Sequence, residues 1–85
     1  MAKVEVKRSG KLVKAWVDSE ELSFNANGLA AAKVPAGDHS FMWVVVGAPG
    51  DKYSIAIEKP KAAEFSHEGK LDSSKRDAGL HWFKA

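Results

Sequence analysis

Short apolar runs alternate with polar positions along this chain, and each run stops at a cluster of turn-forming residues. The stops fall at Ser9-Gly10, Asp18 to Glu21, Asn27-Gly28, Pro35 to Asp38, Ala48 to Asp51, Lys59-Pro60, Glu68-Gly69 and Ala78-Gly79, roughly eight to thirteen residues apart. The runs between them are rich in Val, Ile, Phe, Trp and Tyr, too short for ordinary helices and suited to strands. This spacing predicts an all-β fold: a small antiparallel two-sheet sandwich, immunoglobulin-like or a related Greek key, of about six to seven short strands, with a small β-barrel as the alternative.

Three hairpins set the expected faces. A two-residue loop at Ser9-Gly10 places Val6 opposite Val13, Val4 opposite Ala15 and Ala2 opposite Val17 on one side. Glu5 with Lys14 and Lys3 with Trp16 then lie on the other. Asn27-Gly28 predicts a type I′ turn that pairs Ala26 with Leu29, Phe24 with Ala31 and Leu22 with Lys33. Ala48-Pro49-Gly50-Asp51 predicts a type II turn, which puts Met42, Val44 and Val46 beside Tyr53, Ile55 and Ile57 as the densest apolar surface and turns Phe41, Trp43 and Val45 the other way. The run from His39 to Gly47 is apolar on both faces, as in a central strand covered twice or one that meets a partner.

Towards the C-terminus, Phe65 and Leu80 to Phe83 read as short strands, and Asp72 to Gly79 as a single helical turn with an N-cap and a C-terminal glycine. The segment from Ala62 onward is expected to fold over Trp43 and form the second sheet, because large exposed apolar patches are rare on monomers.

With 85 residues there is room for one β domain, residues 1–85, and none for a separate catalytic one. The 45% apolar and 28% charged composition is that of a globular chain. There is no cysteine, so packing or association must stabilise the fold. The N-terminus alternates charge with valine and lacks the apolar stretch of a signal peptide, and no segment approaches a membrane span, so a soluble, cytoplasmic protein without a membrane partner is the default expectation. The net charge of +2 divides evenly along the chain and gives little support to polyanion binding. The one local excess, Lys3, Lys7, Arg8, Lys11 and Lys14, is expected to be a solvated hairpin face.

Catalytic constellations are missing from the sequence. His39, His67 and His81 lack the spacing that puts two ligands on one element, so no metal or cofactor is expected. No serine stands in a nucleophile elbow, and the Gly47–Asp51 loop leads into a strand, unlike a phosphate-binding loop. Asp18, Asp38 and Asp51 lie at turns, where such side chains hold the backbone.

What remains is aromatic surface. Three tryptophans are many for this length, and the registers above send Trp16 and Trp43 away from the densest apolar face. The reading is a non-catalytic protein-interaction or assembly module, self-association included, whose binding residues are Trp16, Lys3, Lys14, Phe41, Trp43 and Trp82. A carbohydrate-binding module stacking sugars on exposed Trp is the first alternative, and a nucleic-acid binder using the lysine-rich first hairpin is the second.

Overall fold

The computed structural model describes residues 2–10 and 13–85. Among the described residues eight strands form: β1 Ala2–Ser9, β2 Val13–Val17, β3 Glu20–Glu21, β4 Leu29–Val34, β5 Asp38–Val46, β6 Lys52–Lys59, β7 Phe65–Lys70 and β8 Arg76–Lys84, with one turn of 3-10 helix at Lys61–Ala63. They make two antiparallel four-stranded sheets, the first in the order β4-β1-β6-β7 and the second in the order β3-β2-β5-β8. The protein is a small all-β sandwich, and the sheets do not close into a barrel.

Alternation decides what each strand buries. Val4 and Val6 of β1, Val13, Ala15 and Val17 of β2, Phe41, Trp43 and Val45 of β5, and Tyr53, Ile55 and Ile57 of β6 all point into one core between the sheets. Full burial of such a side chain contributes about 1.5–3 kcal/mol, so these positions dominate the stability.

None of the three expected hairpins forms a ladder, because at each of those turns the chain changes sheet. β1 pairs with β4 and β6, not with β2, so Val6 lies opposite Ala30 and Ile57, and Glu5 opposite Ala31 rather than Lys14. The valines of β1 and β2 still share a core, one set from each sheet. Asn25 to Gly28 is a turn, closed by Gly28 N–H to the Asn25 carbonyl at 2.9 Å and by the Asn25 side chain accepting from Asn27 and Leu29. Within it only Gly28 has positive φ, so the type I′ assignment is corrected, and the strand that follows joins the first sheet. The two-residue loop with positive φ at both positions is Asp18-Ser19, which joins β2 to β3.

The turn Ala48–Asp51 does have Gly50 at positive φ in its third position, as a type II turn requires, but it carries the chain from one sheet to the other. β5 pairs with β2 and β8, and β6 with β1 and β7. The expected face of β5 is therefore reversed: Phe41, Trp43 and Val45 are core, while Met42, Val44 and Val46 lie on the outer side.

The C-terminal third gives each sheet one edge strand instead of forming a sheet of its own. It does cover Trp43, through the rings of Phe65 and His67 at 5.6 and 5.1 Å between centroids and through Gly79 beneath the indole. The expected helical turn is a tight reversal at Asp72–Lys75, and Gly79 is already in strand. A Cβ on Gly79 would lie 2.1 Å from the Trp43 ring, so glycine serves close packing there, not a helix end.

Candidate binding face on the second sheet

β2, β5 and β8 lie side by side, and their registers align the outward residues into rows. Trp16 stands opposite Met42, which stands opposite Leu80; Lys14, Val44 and Ala78 form the next row, and Val46 faces Arg76. In the other direction Ser40 faces Trp82. The outcome is an apolar sheet face whose members are unusually open: Trp82 is 68% exposed, Leu80 57%, Val46 49% and Met42 41%, around half-buried Trp16 and Val44. With large side chains presenting up to about 250 Å² each, these fractions amount to about 400 Å², within the roughly 300–600 Å² of the largest patch on a monomer, which is often functional. Charges mark the rim: Glu21 lies opposite Trp16 on β3, Arg76 beside Val46, and Asp38 and Lys84 face each other at the far end.

An ion pair between buried His39 and exposed Asp18 fixes the β2 side of this face. Asp18, in the loop after Trp16 and Val17, accepts the Ser40 N–H at 2.9 Å through Oδ1, donates its own N–H to the Ser40 carbonyl at 3.1 Å, and holds His39 Nδ1 through Oδ2. His39 is 6% exposed, and its Nε2 donates to the Pro35 carbonyl at 2.6 Å. Both ring nitrogens thus face acceptors, an arrangement that the doubly protonated imidazolium satisfies. The Pro35 carbonyl, then the Asp18 carboxylate, hold the His39 pKa above its usual 6.5, while the Ser40 N–H and His39 hold Asp18 below 3.8. This is not a nucleophilic triad. The Ser40 hydroxyl sits near the carboxylate, and neither imidazole nitrogen is free to take a proton from it.

A second polar cluster lies at the open side of the sandwich, where buried Tyr53 meets half-buried His67 and exposed Asp77. The Tyr53 hydroxyl donates to Asp77 Oδ2 at 2.5 Å and meets His67 Nε2 at 3.1 Å. Burial, then the Asp77 bond, pushes the phenol up to about 12. Tyr53 is thus a neutral donor that links β6 to β7 and β8 across the open side of the sandwich, where Phe65 also stacks on His81 at 3.9 Å. The nearby Trp43 Nε1 is buried without a hydrogen-bond partner. Among the described residues no group of three or more His, Asp or Glu side chains could hold a metal ion.

The six residues singled out from sequence do not form one site. Trp16, Lys14 and Trp82 come together on the outer face of the second sheet. Lys3 is exposed on the outer face of the first sheet, opposite Lys33. Phe41 and Trp43, at 0% and 4% exposure, are core. The basic cluster of the first hairpin divides in the same way: Lys3 and Lys7 lie on one sheet and Lys14 on the other, while Arg8 bonds the Val13 carbonyl at 2.5 Å and covers the Phe24 ring. Lys11 lies outside the described residues.

Met42, Val44, Val46 and Leu80 are the members of the face that the sequence reading missed. Their one signal is the run from His39 to Gly47, apolar on both faces in a strand that is covered on one side only. A scan against protein-family models and searches of curated proteins and of solved structures find no match to this chain.

Proposed function

We propose that this protein is a non-catalytic interaction module that binds another protein through the outer face of its second sheet. One observation carries the reading: Trp82, Leu80, Met42 and Val46 remain 41–68% exposed on a single sheet face, where a monomer with no partner would expose water to one of its largest apolar surfaces. Aromatic and methionine side chains in the centre with charges at the rim are the composition of protein interfaces. The chemistry of the polar clusters fits this reading, since His39 is locked between two acceptors and Tyr53 is held neutral.

A sugar-binding reading has one observation in its favour, the open indole of Trp82. Ser40 opposite it and Lys84 beside it can bond hydroxyls, but Leu80 and Met42 continue the face as apolar surface, so this reading stands second.

The test uses 5-fluorotryptophan protein, in which each of the three indoles gives a fluorine resonance assignable by substitution. Adding fractionated protein extract should shift and broaden the Trp82 and Trp16 signals and leave Trp43 unchanged. Shifts of Trp82 with oligosaccharides alone would replace the protein-binding reading by the sugar-binding one, and no shift with either would remove both.

A further inference from the structure

The edge strands of the two sheets differ in their protection against pairing with another chain. β3 is two glutamates long. β4 carries Lys33 and runs into Pro35, and β7 turns Ser66, Glu68 and Lys70 outward. β8 has none of these devices in its middle. It runs for nine residues without proline, in unbroken register with β5, and Ala78–Phe83 contains no Lys, Arg, Asp or Glu. A long, flat, uncharged edge is a template for another strand.

The hydrogen bonds at its ends show which groups are on offer. In antiparallel strands the N–H and C=O of one residue point to the same side, and successive residues alternate. Ala85 exchanges both bonds with Gly37 at 3.0 Å, and the Lys75 carbonyl accepts from Gly47 at 2.9 Å, so odd-numbered residues face β5. Arg76, Ala78, Leu80, Trp82 and Lys84 therefore turn their peptide groups to the free edge. Two of those groups are already occupied, the Ala78 N–H by Asp77 Oδ1 and the Arg76 carbonyl by Ser74 Oγ.

We infer that β8 pairs antiparallel with β8 of a second copy, in the register that sets His81 opposite His81 of the partner subunit. This deepens the interaction-module reading, on which it rests, by naming a second copy as one partner. The register sets Leu80 against Trp82 of the partner subunit and Ala78 against Lys84 of the partner subunit, twice each by symmetry. About six new backbone hydrogen bonds then form from groups that lack partners, without displacing either of the two occupied ones. Leu80 and Trp82 gain apolar cross-strand partners. Centring the pair on Trp82 uses as many free groups but sets Leu80 against Lys84 of the partner subunit, twice by symmetry, and two other registers do worse. Centring the pair on Leu80 opposes Arg76 to Lys84, a like-charge contact. Centring it on Gly79 aims Leu80 and Trp82 at the two occupied groups. The dimer joins both second sheets into one, with the two copies of the apolar face side by side on it.

The chain has no cysteine, so a single introduced thiol reports contacts cleanly. His81→Cys should form a disulfide dimer under mild oxidation, because the two residues would form a non-hydrogen-bonded pair with Cα atoms about 4.5 Å apart, inside the disulfide range. Leu80→Cys and Trp82→Cys should cross-link when mixed but not singly. Light scattering should give twice the 9.2 kDa chain mass, and Leu80→Pro, which deletes an outward N–H and leaves the β5 ladder intact, should return it to the monomer. Should His81→Cys fail to fold by circular dichroism, the mixed pair carries the same test. Cross-linking of Leu80→Cys alone overturns the register. A monomeric mass with no cross-link overturns the dimer, and the Trp82 fluorine shifts with other proteins then decide separately whether the interaction face stands.

Discussion

Replacing Gly79 by alanine tests the packing that decides which side of β5 faces out. An added Cβ would lie 2.1, 2.5 and 2.7 Å from Cζ2, Cε2 and Cη2 of Trp43, where carbon atoms prefer about 3.5–4.0 Å. The indole has no free direction of retreat, since Phe41, Phe65 and His67 hold it at centroid distances of 5.7, 5.6 and 5.1 Å. Forcing a methyl group into such a core costs about 1–3 kcal/mol, and the lower entropy loss of alanine in a strand returns about 0.5–1 kcal/mol. With so deep an overlap the cost lies in the upper half of that range, so the net destabilisation is about 1–2.5 kcal/mol, which lowers Tm by about 4–20 °C in a domain of this size. Thermal unfolding followed by circular dichroism reads it. In a Trp43→Phe background the smaller ring should make Gly79→Ala nearly neutral, giving a clear coupling energy. An unchanged or higher Tm for Gly79→Ala alone would mean that Trp43 is not seated on β8. The outward placement of Met42, Val44 and Val46 would fall with it.

Three further outcomes are expected. His39 binds its proton more tightly folded than unfolded, so its contribution is complete below about pH 6.5 and disappears as pH rises through the higher folded value; that of Asp18 is complete above 3.8 and disappears as pH falls through its lower one. Tm measured across this range should fall at both ends, and Asp18→Asn should shrink the acid limb, leaving the part due to Asp72, whose carboxyl the Ser74 hydroxyl and N–H also hold low, and flatten the alkaline one, whereas identical profiles would contradict the ion pair. Tyr53 is the one tyrosine, so absorbance at the phenolate band should stay flat past pH 10 and rise near 12; ordinary titration near 10 in the folded protein would show that it is not buried against Asp77. Val46→Ser and Met42→Ser, at exposed positions off the β8 edge, should each change stability by no more than about 0.5 kcal/mol in denaturant titrations, and a loss of several would place them in a core.

The sequence made inward and outward positions readable on some strands and not on others, for a physical reason. Alternation states which side of a strand meets the core, and on β1 and β2 that parity holds: the valines are inside and Trp16 is outside. It does not state whether two inward valines are neighbours in one sheet or lie on facing sheets, because both arrangements bury them equally. That ambiguity turned three sheet-crossing loops into hairpins. On β5 parity itself was undetermined, since both sides are apolar and the choice depended on the wrong neighbour, β6. The informative residue was Gly79, whose missing side chain makes room for Trp43, but a glycine seven residues after Asp72 reads locally as a helix end. For the same reason the proposed binding face was legible only at Trp16, Lys14 and Trp82. Phe41 and Trp43 were taken for surface, and Met42, Val44 and Val46 for core.

The central claim is that the outer face of the second sheet meets protein. It is tested most directly by photo-cross-linking from a benzoylphenylalanine placed at Val46, which is on that face and away from the β8 edge, against the same group at Lys3 on the opposite sheet. Discrete protein adducts are expected from position 46, to a second copy or to another chain, and none from position 3. Adducts from position 3 alone, or from neither, would contradict it.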